Sequence, residues 1–478
     1  MTELVAGVDL GTTVTKAVLT RADGTTVAFA RNPTTWTQTP DGRLETTGAA
    51  LVADVLRALE QAVAEAEEKV GTVQVTGIGI AGLAESGTIL DAYGRETSPV
   101  IAWFDERGAA ELADQGAAFV ADFPRRTGLP VGSQWSLPKL LWMRGAGIRL
   151  DGASRWLNMP EFVAYVLTGE RVSEPSLASR TGLLDQATGR PWAEALDRIG
   201  VGPAFLPETR PAGQPAGRVR EGIGVPALTA AAVTVAGHDH PVAAIGAGAT
   251  GPADLFDSCG TAEVLLRSVP RILTDDERAT LVALGIDAGR HVLPDHAVLI
   301  GGMRSGLVMR RVLALVGADD PARRDELDRR WQPDAPVGDA LTVVGAAMHD
   351  NDVTLRIRDG ASPDLLWAAT LAHLGELTAA LLAAVNSVVG EHRTAVAAGG
   401  WTRMASVRRA KAAVIPRLRI SALEQPGARG AAMFGACAAY DVPLDKVTRQ
   451  FLDTADQATA GSPVTAGAPA ASTGKDNS

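Results

Sequence analysis

Gly7-Val-Asp9-Leu-Gly11-Thr12-Thr13-Val-Thr-Lys16 stands between two strand-like runs, Leu4–Leu10 and Val14–Leu19. Asp23-Gly24 then marks a tight turn, and Val27-Ala-Phe29 reads as a third strand. The first glycine therefore opens a β-hairpin. In the dinucleotide-binding fingerprint the glycines open a helix instead, so that reading is set aside. Glycine lets backbone approach a phosphate closely. Threonine hydroxyls and successive N–H groups can donate to its oxygens. Gly11, Thr12 and Thr13 are the candidate phosphate grip, and Lys16 adds a positive charge. Asp9, at a strand end, suits Mg²⁺, which takes one or two carboxylates and keeps several waters. The alternative is an ordinary β-turn.

The pattern recurs. Asp257-Ser-Cys-Gly260-Thr261 also follows apolar strand-like sequence and precedes another strand, Val264–Arg267. Two Gly-Thr turns in matching contexts predict two related domains facing each other, each offering a hairpin to one shared cleft.

Working outward, Val52, Val55, Leu56, Leu59 and Val63 form a helical stripe, and Val73–Ile80 reads as a buried strand. A glycine-containing loop at Gly82–Gly87 follows, with strand resuming at Thr88-Ile-Leu90. Asn158–Thr168 reads as a helix ended by Gly169, and Leu365–Val389 carries another helical stripe. Gly427–Ala439 is an Ala/Gly-rich helix of the kind that packs closely on a neighbour. From about Thr454 the chain is Ala, Thr, Gly, Ser and Pro without apolar period, and the expectation there is disorder.

The composition bounds the function. The 478 residues carry 45 Lys plus Arg against 55 Asp plus Glu, a net charge of −10. That balance excludes a dedicated nucleic-acid binder, which needs a basic face. The hydrophobic share is 46% and the charged share 21%, which fits a globular chain with ample core and excludes a disordered or fibrous one. Two cysteines, Cys259 and Cys437, rule out a disulfide framework and a four-thiolate zinc site. With no secretion signal and no uninterrupted apolar run of membrane length, the expectation is a cytoplasmic protein without membrane partners.

Three further constellations carry chemistry. Gly237-His238-Asp239-His240 follows the buried strand Ala231–Ala236, where charge is costly unless used or paired. Asp239 suits a general base that takes a proton from a hydroxyl as its oxygen attacks phosphorus. Zinc held by His238 and His240, or a capping role for Asp239, are the alternatives. Glu85, in a short loop, can accept hydrogen bonds from vicinal hydroxyls. Trp103 can lie against the carbon edge of a sugar. Asp105 and Arg107 can orient hydroxyls or pair with each other. Gly399-Gly400-Trp401, between the strand Thr394–Ala398 and a helix, is a candidate floor for adenine or ribose.

Taken together, these residues resemble the FGGY family of carbohydrate kinases, in the actin-like ATPase superfamily. The resemblance runs from about residue 4 to about residue 445. It is carried by Gly7–Thr13, Gly77–Asp91, Ala102–Arg107, Leu167–Glu170 with Ser176–Ser179, Gly237–Asp239, Ser258–Glu263, Gly399-Gly400 and Gly430–Ala432, in family order. It implies an α/β fold of two ribonuclease-H-like, actin-like domains around a deep cleft. Residues 1–242 would form the sugar side and 243–450 the nucleotide side, with 454–478 as a tail. It further implies ATP and Mg²⁺ as cofactors and phosphorylation of a primary hydroxyl of a small ketose or polyol. By position, Asp239 falls on the catalytic base, Asp9 on the metal-associated aspartate, and Thr12, Thr13, Gly260 and Thr261 on the phosphate loops. Gly399 and Gly400 fall on the adenosine side, and Glu85 and Trp103 on the substrate side. The chain departs from the family at Leu83-Ala84-Glu85-Ser86, where many pentulose kinases carry Gln-Met-His-Gly. The acidic residue at 85 is similar to glycerol kinases, but Ala84 stands where they have Arg. A different ketose or polyol is therefore expected, with the chain a monomer or homodimer. The competing expectation is a nucleotide-dependent binding protein on the same scaffold without a sugar substrate.

Overall fold

A computed structural model of the chain describes residues 1–333, 336–347 and 352–460. The first half begins with three antiparallel strands, β1 (Thr2–Leu10), β2 (Val14–Thr20) and β3 (Thr26–Pro33). The long amphipathic helix α1 (Gly48–Val70) then crosses over, so the next strand, β4 (Val73–Gly82), enters parallel to β1. Helix α2 (Met159–Thr168) starts at Asn158, whose capping box with Glu161 satisfies the first backbone donors, and stops at Gly169 in the left-handed region. Strand β5 (Ala232–His238) pairs parallel with β4 and runs directly into α3 (Asp239–Gly246).

The second half repeats this plan. Strands β6 (Leu255–Cys259), β7 (Glu263–Val269) and β8 (Ala297–Met303) are antiparallel. Helices α4 (Ser305–Leu315) and α5 (Pro363–Val389) follow, then β9 (Ala395–Ala398) parallel to β6. Helix α6 (Ala405–Val414) leads to β10 (Leu418–Ile420), parallel to β9. Two further helices close the chain, α7 (Pro426–Tyr440) and α8 (Leu444–Ala460).

The strand orders are therefore β3-β2-β1-β4-β5 and β8-β7-β6-β9-β10, the same sequence of antiparallel and parallel neighbours twice. Each sheet gains one extra edge strand, Gly217–Arg218 in the first and Asp287–Arg290 in the second. This internal duplication is what the two Gly-Thr hairpins predicted.

Helix α7 belongs by sequence to the second half but packs on β1, β4 and α3 of the first. Glycines make this approach possible: a Cβ on Gly7 would overlap the Ala428 carbonyl, one on Gly79 the Ala431 carbonyl, and one on Gly430 the Val242 carbonyl. Val5, Ala81, Val242, Ala431 and Met433 form one continuous core across this contact. Between β4 and β5 the first half also carries an insertion with its own core around Phe119, Phe123, Trp135 and Trp192. Its Gly128 carbonyl accepts from Ala288 N at 2.8 Å, so the insertion reaches the edge strand of the second sheet.

Helix α5, 27 residues long with an 18-residue stretch of mean hydropathy 1.5, has the length and composition to cross a membrane. Its Leu366, Trp367, Leu371 and Leu374 are buried against α4 and α6, as in the core helix of a folded domain. Helix α8 runs seven residues into the stretch expected to be disordered from Thr454, and 461–478 lie outside the described residues.

Candidate active site

Both hairpins open toward the same place. A cavity of about 350 Å³ is lined from the first half by Thr12, Glu85, Trp103, Trp135, Arg180 and Asp239, and from the second by Ser258, Gly260, Val264 and Asp287. A second cavity of about 590 Å³ adjoins it through Gly260 and is lined by Thr261, Gly306, Arg310, Arg324, Gly400 and Trp401. Residues far apart in sequence thus line one continuous cleft, broad at the second half and narrow between the halves.

The first hairpin is held from behind. Thr34 Oγ1 donates to the Gly11 carbonyl at 2.7 Å, and Trp36 Nε1 to the Thr12 carbonyl at 2.7 Å. Trp103 Nε1 donates to Thr12 Oγ1 at 2.9 Å, joining the loop to the cavity wall. Lys16 Nζ lies 3.1 Å from Asp9 Oδ2 and neutralises it. Burial pushes the Asp9 carboxyl up; Lys16 opposes this, and the nearby Asp239 charge pushes it further up. Two facing carboxylates served by one lysine are a donor set that accommodates a hard divalent cation.

The second hairpin rests on a buried ion triplet. Lys411 Nζ lies 2.8 Å from Asp257 Oδ2 and 2.7 Å from Glu263 Oε1. Burial disfavours the ammonium, but the two carboxylates outweigh it and hold the Lys411 pKa above its ordinary value. Gly399, at φ +124°, lies against the Cys259 backbone, where any side chain would collide with the hairpin. This contact keeps Gly400 at the wall of the second cavity.

Asp239 is the first residue of α3, at the end of a central strand. Its Oδ1 accepts from His240 N at 2.7 Å and lies 3.1 Å from His238 Nε2. Oδ2 has no hydrogen-bond partner among the described residues, and the side chain is 29% exposed toward the cleft. Burial would raise its pKa, but His240 and His238 outweigh burial and hold the carboxyl well below the usual range. The group is therefore ionised at neutral pH. Burial lowers the His240 pKa from its ordinary value. The His238, Asp239 and His240 ligand atoms lie within 4.8 Å of one another. They come together around the end of β5 and the first turn of α3, not by alternation along one strand face.

His238 is fixed in turn. Its N–H donates to Ser176 Oγ at 2.9 Å, and Ser176 Oγ donates to Glu174 Oε2 at 2.5 Å. Glu174 is fully buried beside Glu161. Burial pushes Glu174 up to about 8 and Glu161 up to about 7. The folded state then holds protons that the unfolded chain has released between its ordinary value of 4.5 and about 8. Stability must fall as pH rises through that window. Glu174→Gln keeps an acceptor for Ser176 without the charge. Its melting temperature is expected to fall less between pH 5 and pH 8 than that of the wild type, as differential scanning calorimetry would measure; parallel curves would refute the assignment.

Of the residues singled out in the sequence, Thr12, Glu85, Trp103, Asp239 and Gly260 line the first cavity, and Gly260, Thr261 and Gly400 line the second. Gly11, Thr13, Lys16 and Asp9 belong to the first hairpin, and Gly399 buttresses the second. Asp105 is not brought to the cleft. Its oxygens accept from Arg107 N and Nε at 2.9 Å, from Arg107 Nη2 at 3.0 Å and from Leu44 N at 3.3 Å. Of the two readings the sequence left open, the structure shows the pairing: Asp105 and Arg107 pair with each other, and Glu45 completes the group. Sequence reading missed Arg180, Asp287 and Trp135. Their only sequence signal is one arginine directly after the Ser176–Ser179 segment.

Comparison with known proteins agrees with this geometry. Residues 4–246 match the family model described as the FGGY family of carbohydrate kinases, N-terminal domain. The xylulose kinase of Streptomyces rubiginosus is 29% identical over 328 residues, which cover 67% of this chain and 64% of that protein. The match thus spans less than two thirds of that relative's length. The crystal structure of a xylulose kinase from Brucella ovis superposes with a TM-score of 0.79 at 24% identity, covering 96% of this chain and 98% of that one. Plasmodium falciparum glycerol kinase, crystallised with ADP, superposes with a TM-score of 0.80 at 16% identity, covering 96% of each chain. These likenesses carry the fold, two actin-like α/β domains around a cleft. With a family match over half its length and the duplicated sheets that go with it, this chain belongs to the FGGY family of carbohydrate kinases.

Proposed function

We propose that this protein transfers the terminal phosphoryl group of ATP to a primary hydroxyl of a small ketose or polyol, with Asp239 as the general base. The observation that carries the reading is the position of Asp239: an ionised carboxylate with one uncommitted oxygen, in the cavity that Thr12 and Gly260 reach from opposite halves. The alcohol lies between Glu85, Trp103 and Asp239. The nucleotide lies along the second cavity, with its phosphates between the Gly11–Thr13 and Gly260-Thr261 hairpins. Residues 1–242 serve the alcohol and 243–450 the nucleotide.

Phosphoryl transfer needs positioning and charge stabilisation more than covalent chemistry. Backbone N–H groups and threonine hydroxyls at the two hairpins hold the phosphates. Asp239 orients the hydroxyl and accepts its proton as the O–P bond forms. Its depressed pKa makes it a weak base, which suits a transition state in which the proton leaves late. Asp9 would hold Mg²⁺, directly or through water, and the ion supplies countercharge to the phosphate oxygens. Closure of the halves excludes water, the competing acceptor.

The residues at 83–86 support a compound other than xylulose or glycerol. The test is ADP release by the purified chain with ATP, Mg²⁺ and a panel of ketoses and polyols. One compound is expected to stimulate release well above the rest. Stimulation by none would overturn the kinase reading in favour of a nucleotide-dependent binding protein.

A further inference from the structure

The first cavity holds a buried cation, Arg180. Arg180 follows the short helix Pro175–Ala178 of the insertion, and its side chain is only 8% exposed. Nε donates to Glu85 Oε1 at 2.8 Å within the first half. Nη2 donates to Asp287 Oδ2 at 3.1 Å on the edge strand of the second half. The guanidinium lies over the Trp135 ring, 4.7 Å from its centre. Its remaining nitrogen, Nη1, is buried with no hydrogen-bond partner among the described residues. A buried guanidinium N–H without an acceptor costs desolvation free energy that folding does not recover. Glu85 Oε2 is likewise uncommitted among the described residues. All three charged groups line the cavity that Asp239 enters.

We propose that Arg180 is a specificity-determining residue: framed by Glu85 and Asp287, it recognises a neutral polyhydroxy substrate, a ketose or polyol, and rejects sugar acids. The proposal deepens the kinase reading above and rests on it. The chemistry follows from the donor count. A hydroxyl can give its proton to Glu85 and accept from the guanidinium at once, so vicinal hydroxyls satisfy both groups. A carboxylate has no proton to give. It also meets three carboxylates, Glu85, Asp287 and Asp239, against one guanidinium. A lysine cannot replace the planar fork that spans Glu85 and Asp287. Because the fork joins the two halves, an occupant that completes it also favours the closed cleft.

The test uses the full chain. Steady-state rates are measured for neutral ketoses and polyols and for the matching aldonates, in the wild type, Arg180→Met and Arg180→Lys. The wild type is expected to use a neutral compound and to discriminate strongly against its aldonate. Both variants are expected to lose about 100-fold in kcat/KM for that compound. The KM for ATP, and the rise in melting temperature on adding ADP, should stay near the wild-type values. Those nucleotide readings separate a recognition role from misfolding, and Arg180→Lys retains the charge should Arg180→Met not fold. A folded variant with unchanged kcat/KM, or a wild type that prefers an aldonate, would overturn the proposal while leaving the kinase reading intact. ADP release stimulated by no compound at all would overturn that reading, and this proposal with it.

Discussion

Asp239→Asn is expected to lower turnover with the preferred alcohol by about 10²–10⁴-fold, the usual range for general-base assistance. The substitution is nearly isosteric. Its amide oxygen can still accept from His238 Nε2 and from His240 N, as Asp239 Oδ1 does now. What it loses is the charge and the capacity to take a proton. The rate should therefore fall while ADP still raises the melting temperature, because the cavity proposed for the nucleotide is lined by the other half. The wild-type pH profile adds a second check. Asp239 is held well below the ordinary carboxylate range by its two histidines. No loss of activity between pH 7 and pH 5 should then trace to this group. Full activity of Asp239→Asn on stopped-time ADP assays would remove it from the mechanism.

Gly79→Ala is expected to destabilise the fold by about 3 kcal/mol or more, the largest stability effect anticipated for a single methyl. Gly79 lies in β4, at the centre of the first sheet, with α7 directly above it. The added Cβ would overlap the Ala431 carbonyl, which is helix backbone and cannot rotate away. Either α7 lifts from the sheet or the strand shifts, and each exposes the continuous core around Val242, Ala431 and Met433. Because α7 joins the second half to the first, the damage should extend to the cleft. Chemical denaturation should show a lower midpoint, and nucleotide protection should weaken with it. A variant as stable as the wild type would mean that α7 does not pack on β4.

Much of the site was legible because its parts are local. A Gly-Thr turn between two strands is a hairpin whatever surrounds it, and Asp239 after a buried strand is exposed at a strand end by chain direction alone. Asp105 stayed open between two readings for the opposite reason. Its sequence neighbours suggest an open polar segment, but Leu44 and Glu45, some sixty residues earlier, fold over it and complete its pairing with Arg107. Arg180 carried no signal beyond its place after the Ser176–Ser179 segment, since its partners Glu85 and Asp287 lie in different halves of the chain. Likewise the Ala/Gly composition of α7 announced a close packing, but the β1 and β4 strands it packs on lie more than 300 residues away in sequence.

By itself the sequence determined the duplicated strand–hairpin plan, the two Gly-Thr turns and the strand-end aspartates, because backbone conformation and side-chain alternation act over a few neighbouring residues. Only the tertiary structure decided which charges line the cleft, which merely neutralise each other, and on which half the last large helix rests. Those outcomes depend on burial and on contacts between distant segments, and no short stretch of chain encodes its own partner.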